Sequence, residues 1–324
     1  MKRSLPFIVA AVLLAAGCGP RSGRGAAPAA LTVREFPAVQ VPGVYADPAE
    51  RGAYAAEHFW DRFFDGAAGM RCDSVTVCGV ARAKFEEAFS SFVAILESQD
   101  MASGRKTVSR LLERVEALQE ADGASNVFEV FSDMMEHYLY DPNSPFRNED
   151  LYQPYVAGLA ESPFTDPARV PSLEFDARMS ALNAVGTPAA DFRFADAAGR
   201  TRRLYDVKAD YVLLVFSNPG CQACSDFLAD MATVGYYKDL VASGTLAVLN
   251  VYVDEDLDSW RSHLKDFPDF WINVCDPEFA IRRELVYNVR GIPSLYLLDK
   301  DKRVIMKDAP TERVMSFLET IGRD

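Results

Sequence analysis

Histidine is scarce in this sequence: His58, His137 and His263 are spread over 324 residues. Histidine-based metal sites and Cys-His hydrolases need an imidazole close to other ligands or to the nucleophile. The three histidines are far apart in sequence and far from Cys221 and Cys224. We therefore expect surface or packing roles for them, with no metal site and no Cys-His hydrolase.

Basic residues are also too few to balance the acidic ones. The chain has 34 Lys and Arg against 47 Asp and Glu, a net charge of -13. A strongly negative surface repels nucleic acid and anionic lipid headgroups. The composition therefore predicts no nucleic-acid partner.

No apolar run at the amino terminus is long enough for a membrane-spanning helix. Lys2 and Arg3 precede about a dozen apolar residues, 5–16, whereas a spanning helix needs about 20. This pattern is typical of a secretory signal, and its end at Leu14-Ala15-Ala16-Gly17-Cys18 resembles a bacterial lipoprotein signal. We expect 1–17 to be a signal peptide and Cys18 to carry lipid that anchors the chain to a membrane. Ordinary signal cleavage is the alternative.

Five cysteines remain to be assigned once Cys18 is set aside for lipid. They are Cys72, Cys78, Cys221, Cys224 and Cys275. In an oxidising compartment Cys72 and Cys78 could close a small loop, and a structural disulfide is the favoured interpretation. A second redox pair and a four-cysteine metal site with Cys221 and Cys224 are the alternatives. Cys275 follows an apolar run and is predicted to be a buried thiol at a strand end, with a mixed-disulfide role as the alternative.

Residues 18–34 are rich in Gly, Pro, Ala, Ser and Arg and predict an anchor followed by a flexible linker. Residues 35–183 show helical periodicity and predict an all-α domain. Asp47-Pro48 is a helix start, expected to open a helix through Phe63. Three further segments carry apolar residues along one helix face: Phe85–Leu96, Leu111–Leu118 and Phe128–Leu139. The proline-containing stretch Tyr138–Tyr152 is interpreted as a helix-to-helix loop, with a surface for a partner or for the C-terminal domain as the alternative.

In residues 184–324 strands alternate with helices, which predicts a mixed α/β sheet covered on both faces. The predicted elements are a hairpin at 191–204, strands at 211–216 and 246–253, a helix from Cys221 to about Tyr237, a helix near 256–266, a strand pair at 294–298 and 303–306, and a closing helix through Ile321.

The strongest chemical motif is Cys221-Gln222-Ala223-Cys224, placed directly after the apolar run at 211–216. A strand that ends in a turn and opens a helix at Cys221 puts this sulfur at the helix N-terminus. There the unpaired N–H groups and the helix dipole favour a thiolate, which is the reactive form of cysteine. Gly291-Ile292-Pro293 follows downstream, just before another strand-like run.

Together these motifs resemble a known family. Residues 186–324, with the C-x-x-C motif, Tyr287–Ser294 and Leu297–Asp299, look like the TlpA/ResA-type thioredoxin-like domain of exported thiol-disulfide oxidoreductases. Residues 35–180, through Arg51–Asp61 and Tyr138–Tyr152, are similar to the helical N-terminal domain of uncharacterised function in thioredoxin-like lipoproteins of Gram-negative bacteria.

The resemblance implies roles for individual residues. Cys221 would be the attacking thiol, Cys224 the resolving thiol, and Pro293 a cis-proline that faces them. The backbone of Ile292 would pair with the substrate. The flanking substrate-binding candidates are Gly220, Gln222 and Ala223.

The resemblance further implies that protein disulfides are the substrates and that a membrane thiol carrier is the electron donor. It implies no cofactor beyond the cysteine pair, and no metal. The protein would be lipid-anchored in the cell envelope of a Gram-negative bacterium, on the periplasmic or the outer-membrane face.

Two departures from the family pattern leave the direction of the reaction open: Gly220 replaces a frequent Trp, and Phe227 stands where some reductive members have Glu. Asn218-Pro219-Gly220-Cys221 also resembles a peroxiredoxin loop, although Leu214 and Asn218 replace the expected Pro and Thr or Ser. A thiol peroxidase is thus one alternative. A lipid-anchored binding protein with a merely structural disulfide is the other.

Overall fold

The computed structural model describes residues 33–322 except Val234. The predicted signal peptide 1–17, the acylation site Cys18 and nearly all of the 18–34 linker lie outside these residues. Within them, no helix has the length and apolar character needed to cross a bilayer.

The first half of the described chain is helical, as the apolar periodicity predicts. Its helices are α1 Pro48–Glu57, α2 Asp61–Asp65, α3 Arg82–Glu97, α4 Met101–Ala121, α5 Val127–Leu139, α6 Glu149–Glu161 and α7 Val170–Ser180. Asp47 caps α1, accepting hydrogen bonds from the N–H groups of Ala49 and Glu50. A short hairpin, β1 Thr76–Val77 with β2 Val80–Ala81, is a feature that helical periodicity does not predict.

Aromatic side chains form the centre of the helical domain. Trp60 packs against Phe89 and Phe131, with ring centroids 5.6 and 5.1 Å away. Phe59 and Trp60 are both buried. They lie in the turn between α1, which ends at Glu57, and α2, which begins at Asp61. The prediction of one helix through Phe63 is therefore wrong.

The second half of the described chain forms a seven-stranded mixed sheet with helices on both faces, which confirms the predicted fold class. Its elements are β3 Arg193–Ala195, β4 Thr201–Arg203, β5 Tyr211–Ser217, α8 Gln222–Thr233, α9 Tyr237–Ala242, β6 Leu246–Tyr252, α10 Leu257–His263, β7 Ile272–Cys275, α11 Ala280–Arg283, β8 Ser294–Asp299, β9 Val304–Met306 and α12 Thr311–Ile321. The strand order is β4-β3-β7-β6-β5-β8-β9.

The central strand β5 explains how the sheet positions the cysteine motif. It pairs in parallel with β6 and antiparallel with β8. Leu213 and Val215 pack on one face, whereas Leu214 and Phe216 pack on the other, as the two-residue period of a strand requires. Burial on both faces accounts for the continuous apolar run. The helix predicted from Cys221 to about Tyr237 is shorter in the structure, because α8 ends at Thr233. A separate helix, α9, begins at Tyr237, and Gly235 lies between the two.

Candidate active site

Cys221 lies between the end of β5 and the first residue of α8, where the C-x-x-C motif predicted it. The turn that carries it there includes Gly220, whose φ of +74° is in the left-handed region that favours glycine. The N–H of Cys224, in the first turn of α8, donates to Cys221 Sγ at 3.2 Å. An N–H group that has no partner in the helix thus points at the sulfur.

The second wall of the site is the segment that precedes β8. The Ile292–Pro293 peptide bond is cis, as predicted for Pro293. The Cys221 thiol donates to the Ile292 carbonyl at 3.6 Å. Two segments 71 positions apart in sequence therefore meet at the sulfur, and the backbone of Ile292 lies next to the place where a substrate disulfide must enter.

The two cysteines of the motif have different environments. Cys221 is partly exposed, whereas Cys224 is 4% exposed. Burial, together with the hydrogen bond from Cys221, raises the pKa of Cys224 to about 12. Near neutral pH Cys224 therefore stays protonated, and Cys221 is the sulfur that an incoming disulfide can reach.

The remaining predicted contact residues surround the exposed side of this sulfur. Gly220, Gln222 and Ala223 are all exposed. Gln222 donates to Asp226 one helical turn along, at 2.8 Å, so its amide is held beside α8. Their placement fits surface recognition, and their roles remain predictions.

Two cavities flank the cysteine motif. One of about 270 Å³ reaches both cysteines and is closed by His263, Asp266 and Phe267. The other, of about 420 Å³, runs along Asn218 and Ile292 and is bounded on its far side by Phe175 and Met179 from α7. The helical domain therefore supplies one wall of the groove beside the candidate active site.

A solved structure matches both halves of the chain. The thioredoxin-like protein from Bacteroides caccae is 31% identical, with a TM-score of 0.75, over 89% of this chain and 99% of that one. This chain belongs to the thioredoxin-like proteins.

Separate family models cover the two halves. Residues 209–304 match the family described as thioredoxin-like, and residues 21–175 match a domain of unknown function, DUF5106. These matches confirm a thioredoxin-like domain preceded by a helical domain of uncharacterised function. The predicted boundary at 183/184 lies between α7 and β3, outside both matched ranges.

Other solved structures cover less than half of the chain. The C-terminal domain of an uncharacterized protein from Bacteroides fragilis is 39% identical, with a TM-score of 0.41, over 42% of this chain and 98% of that one. The thioredoxin domain of a thiol-disulfide oxidoreductase from Bacteroides vulgatus is 22% identical, with a TM-score of 0.38, over 43% of this chain and 97% of that one. No curated protein matches the chain.

The other cysteines of this thioredoxin-like protein lie apart from the motif. Cys72 Sγ and Cys78 Sγ are buried and 3.6 Å apart, in contact but beyond the covalent S–S length of about 2.05 Å. The disulfide between them remains a prediction. Among residues 33–322 without Val234, no three His, Cys, Asp or Glu side chains are grouped to hold a metal, so the four-cysteine alternative is not assembled. Cys275 ends β7 and is 3% exposed, which confirms the predicted buried strand-end thiol.

Residues that sequence reasoning missed surround the segment before Pro293. Glu149, Arg290 and Asp308 form a buried charged cluster where the helical domain meets the thioredoxin-like domain. One signal for it was available: Glu149 lies in the Tyr138–Tyr152 stretch, for which a surface facing the C-terminal domain was one alternative. The favoured prediction of a helix-to-helix loop is confirmed, since residues 140–148 connect α5 to α6. The same stretch also contacts the C-terminal domain, because Arg147 donates to the Asp308 carbonyl at 2.9 Å.

Proposed function

We propose that this protein is an exported thiol-disulfide oxidoreductase of the TlpA/ResA type that reduces protein disulfides. The observation that carries the proposal is the pairing of a partly exposed Cys221 at the start of α8 with a buried Cys224 behind it, where the Cys221 thiol faces the Ile292 carbonyl beside Pro293.

The reaction is a two-electron dithiol exchange. The Cys221 thiolate attacks one sulfur of the substrate disulfide, so that an S–S bond forms between protein and substrate and the other substrate sulfur leaves as a thiolate. Cys224 then gives up its proton and attacks Cys221 Sγ, which releases the second substrate sulfur. The substrate gains two electrons and two protons, and Cys221 and Cys224 become a disulfide.

The groove beside Ile292 fits a polypeptide substrate. The groove is lined by Phe175 on α7, which is 41% exposed, and by Leu285, which is 37% exposed. Exposed apolar side chains at the edge of a cleft are typical of a surface that binds another chain. We therefore assign the segments that flank the substrate disulfide to this groove, with Gly220, Gln222 and Ala223 contacting them on the other side of Cys221.

The location and the electron supply complete the proposal and are supported by the sequence. Lipid on Cys18 would hold the folded domains at the envelope membrane of a Gram-negative bacterium, beyond a flexible linker. The oxidised Cys221–Cys224 pair needs a dithiol to return it to the reduced state, and a membrane thiol carrier fits a protein held at that surface.

The assay that tests the function uses the chain from residue 33 onward with an oxidised test protein and excess dithiol reductant. Wild type is expected to accelerate disulfide reduction, and Cys221→Ser is expected to abolish the acceleration, at least roughly a hundredfold, because the nucleophile is lost. Cys275→Ser is the matched control and should retain full activity, since Cys275 is buried at the end of β7.

Other outcomes of this assay identify the alternatives. Rapid consumption of hydrogen peroxide that depends on Cys221, without reduction of the test protein, would favour a thiol peroxidase. Absence of both reactions would favour a binding protein.

A further inference from the structure

A buried cluster of charged side chains joins the helical domain to the proline loop, which we define as residues 288–294. Its centre is Glu149, the first residue of α6, which is 1% exposed. Glu149 Oε1 accepts from Asn288 Nδ2 at 2.7 Å and from Arg290 Nε at 2.8 Å. Both donors belong to the proline loop, and both lie within four positions of Ile292.

The same carboxylate is fixed from the other side. Glu149 Oε2 pairs with Lys307 Nζ at 3.1 Å, and Lys307 also donates to the Ser180 carbonyl at the end of α7 at 2.6 Å. The charged groups are therefore held by several partners, so the position of the carboxylate is determined by the surrounding fold.

Two further contacts hold the loop itself against the helical domain. The Arg290 guanidinium lies 3.9 Å from the ring centroid of Tyr140 and also donates to the Tyr140 carbonyl. Gly291 packs against Pro142, because a Cβ at this glycine would lie 3.2 Å from Pro142 Cβ. The carboxyl end of the loop is held through Ser294, whose hydroxyl donates to Asp308 at 2.7 Å.

Buried ion pairs are poor devices for stability, since the cost of removing charge from water often exceeds the gain from pairing. Apolar side chains packed between the two domains would stabilise the fold at least equally. The cluster is therefore better explained by the loop that it holds in place. The Ile292 carbonyl of this loop faces the Cys221 thiol.

We propose that Glu149 is a positioning residue for disulfide exchange, and that the helical domain acts in the reaction by holding the proline loop against Cys221. The inference rests on the proposed function. The path of contacts runs from Glu149 to Arg290, then along the backbone to Ile292, and from its carbonyl to Cys221 Sγ. A polypeptide substrate that pairs with the Ile292 backbone depends on this placement, whereas a small disulfide needs only the exposed sulfur.

The test compares two disulfides and two variants of the chain from residue 33 onward. Glu149→Gln keeps the side-chain length and removes the charge that pairs with Arg290 and Lys307. Glu97→Gln is the matched control, because Glu97 on α3 also pairs across the domains, with Arg313 on α12 at 3.4 Å, away from the proline loop. The protein substrate is insulin, whose chains are joined by their native disulfides. The small substrate is bis(2-hydroxyethyl) disulfide.

We expect Glu149→Gln to lower kcat/KM for insulin roughly tenfold, as misplacement of a binding segment does. Its kcat/KM for the small disulfide should change less than about twofold, and Glu97→Gln should match wild type on both substrates. If Glu149→Gln does not fold, Asn288→Ala, which removes a single hydrogen bond to the same oxygen, should show the same selective loss.

Three results decide against parts of the proposal. Equal losses of Glu149→Gln on both disulfides would mean that Glu149 is merely structural. Full activity of this variant on insulin would mean that the loop needs no such support. Either result overturns the positioning role. Wild type that reduces neither disulfide would instead overturn the proposed function on which the inference rests.

Discussion

The two sulfurs of the C-x-x-C motif differ because of where single residues place them. Cys221 stands at the open end of α8, while Cys224 lies one turn further along the helix and is covered by the core. The raised pKa of Cys224 means that its thiolate fraction falls tenfold for each pH unit below about 12. Cys224 is therefore almost wholly protonated at neutral pH, and Cys221 is the more exposed sulfur of the pair.

This asymmetry predicts which cysteine is alkylated. When the reduced protein is treated briefly with iodoacetamide at about pH 7 to 8, Cys221 should be modified first and Cys224 should lag by at least roughly tenfold. Peptide mass spectrometry measures the two rates within the same sample. Equal labelling, or faster labelling of Cys224, would contradict the assigned order of attack.

Cys221, Cys224 and Pro293 were predictable because each belongs to a short local pattern whose geometry depends on neighbouring residues. Glu149 was not, because its partners Asn288 and Arg290 lie 139 and 141 positions away, and no local pattern marks a buried carboxylate that another domain neutralises.

At the scale of elements, the proline loop is held between β8 and the amino end of α6. Asp308, which follows β9, also contacts this loop. It accepts a hydrogen bond from Ser294 and forms ion pairs with Arg290 and Arg147. Burial, together with the negative charge of Glu149, raises the pKa of Asp308 to about 6.

The raised pKa gives a pH dependence with a definite sign. Asp titrates near 3.9 in an unfolded chain, so between about pH 4 and pH 6 the folded protein binds more protons than the unfolded one. Rising pH across this window therefore lowers the free energy of unfolding through this group, by an amount on the order of 1 to 3 kcal/mol.

Asp308→Asn removes this titration. The free energy of unfolding of wild type minus that of the variant, measured by urea denaturation at several pH values, should fall from about pH 4 to about pH 6 and then level off. A difference that rises over the same window would show that folding favours the charged form of the Asp308 carboxyl, which is the opposite of the expected sign.

Element boundaries were the least predictable part of the fold because packing overrides local pattern. The apolar stripes identified α3, α4 and α5, since one helix face meets one core. The break between α1 and α2, at the buried Phe59 and Trp60, is not marked by the spacing of apolar residues, which continues through Phe63.

For the whole molecule, the two domains share a groove as well as a charged cluster. The α7 wall at Phe175 and Met179 lies across from the thioredoxin-like domain's Ile292, so the helical domain takes part in forming the surface next to Cys221. The two domain types could be predicted from the sequence, since periodicity changes from helical to alternating near residue 184. The sequence indicated their shared surface only as an alternative for the Tyr138–Tyr152 stretch, because the contacts that form it join residues far apart in the chain.

Trapping the covalent intermediate tests whether Cys221 attacks substrate disulfides and Cys224 resolves the product. Cys224→Ser lacks the resolving sulfur, so incubation of this variant with an oxidised test protein should accumulate a covalent complex. Intact mass spectrometry under non-reducing conditions should show a one-to-one adduct joined through Cys221, and dithiothreitol should release it. No adduct, or an adduct that also forms when Cys221 is replaced by serine, would contradict the account.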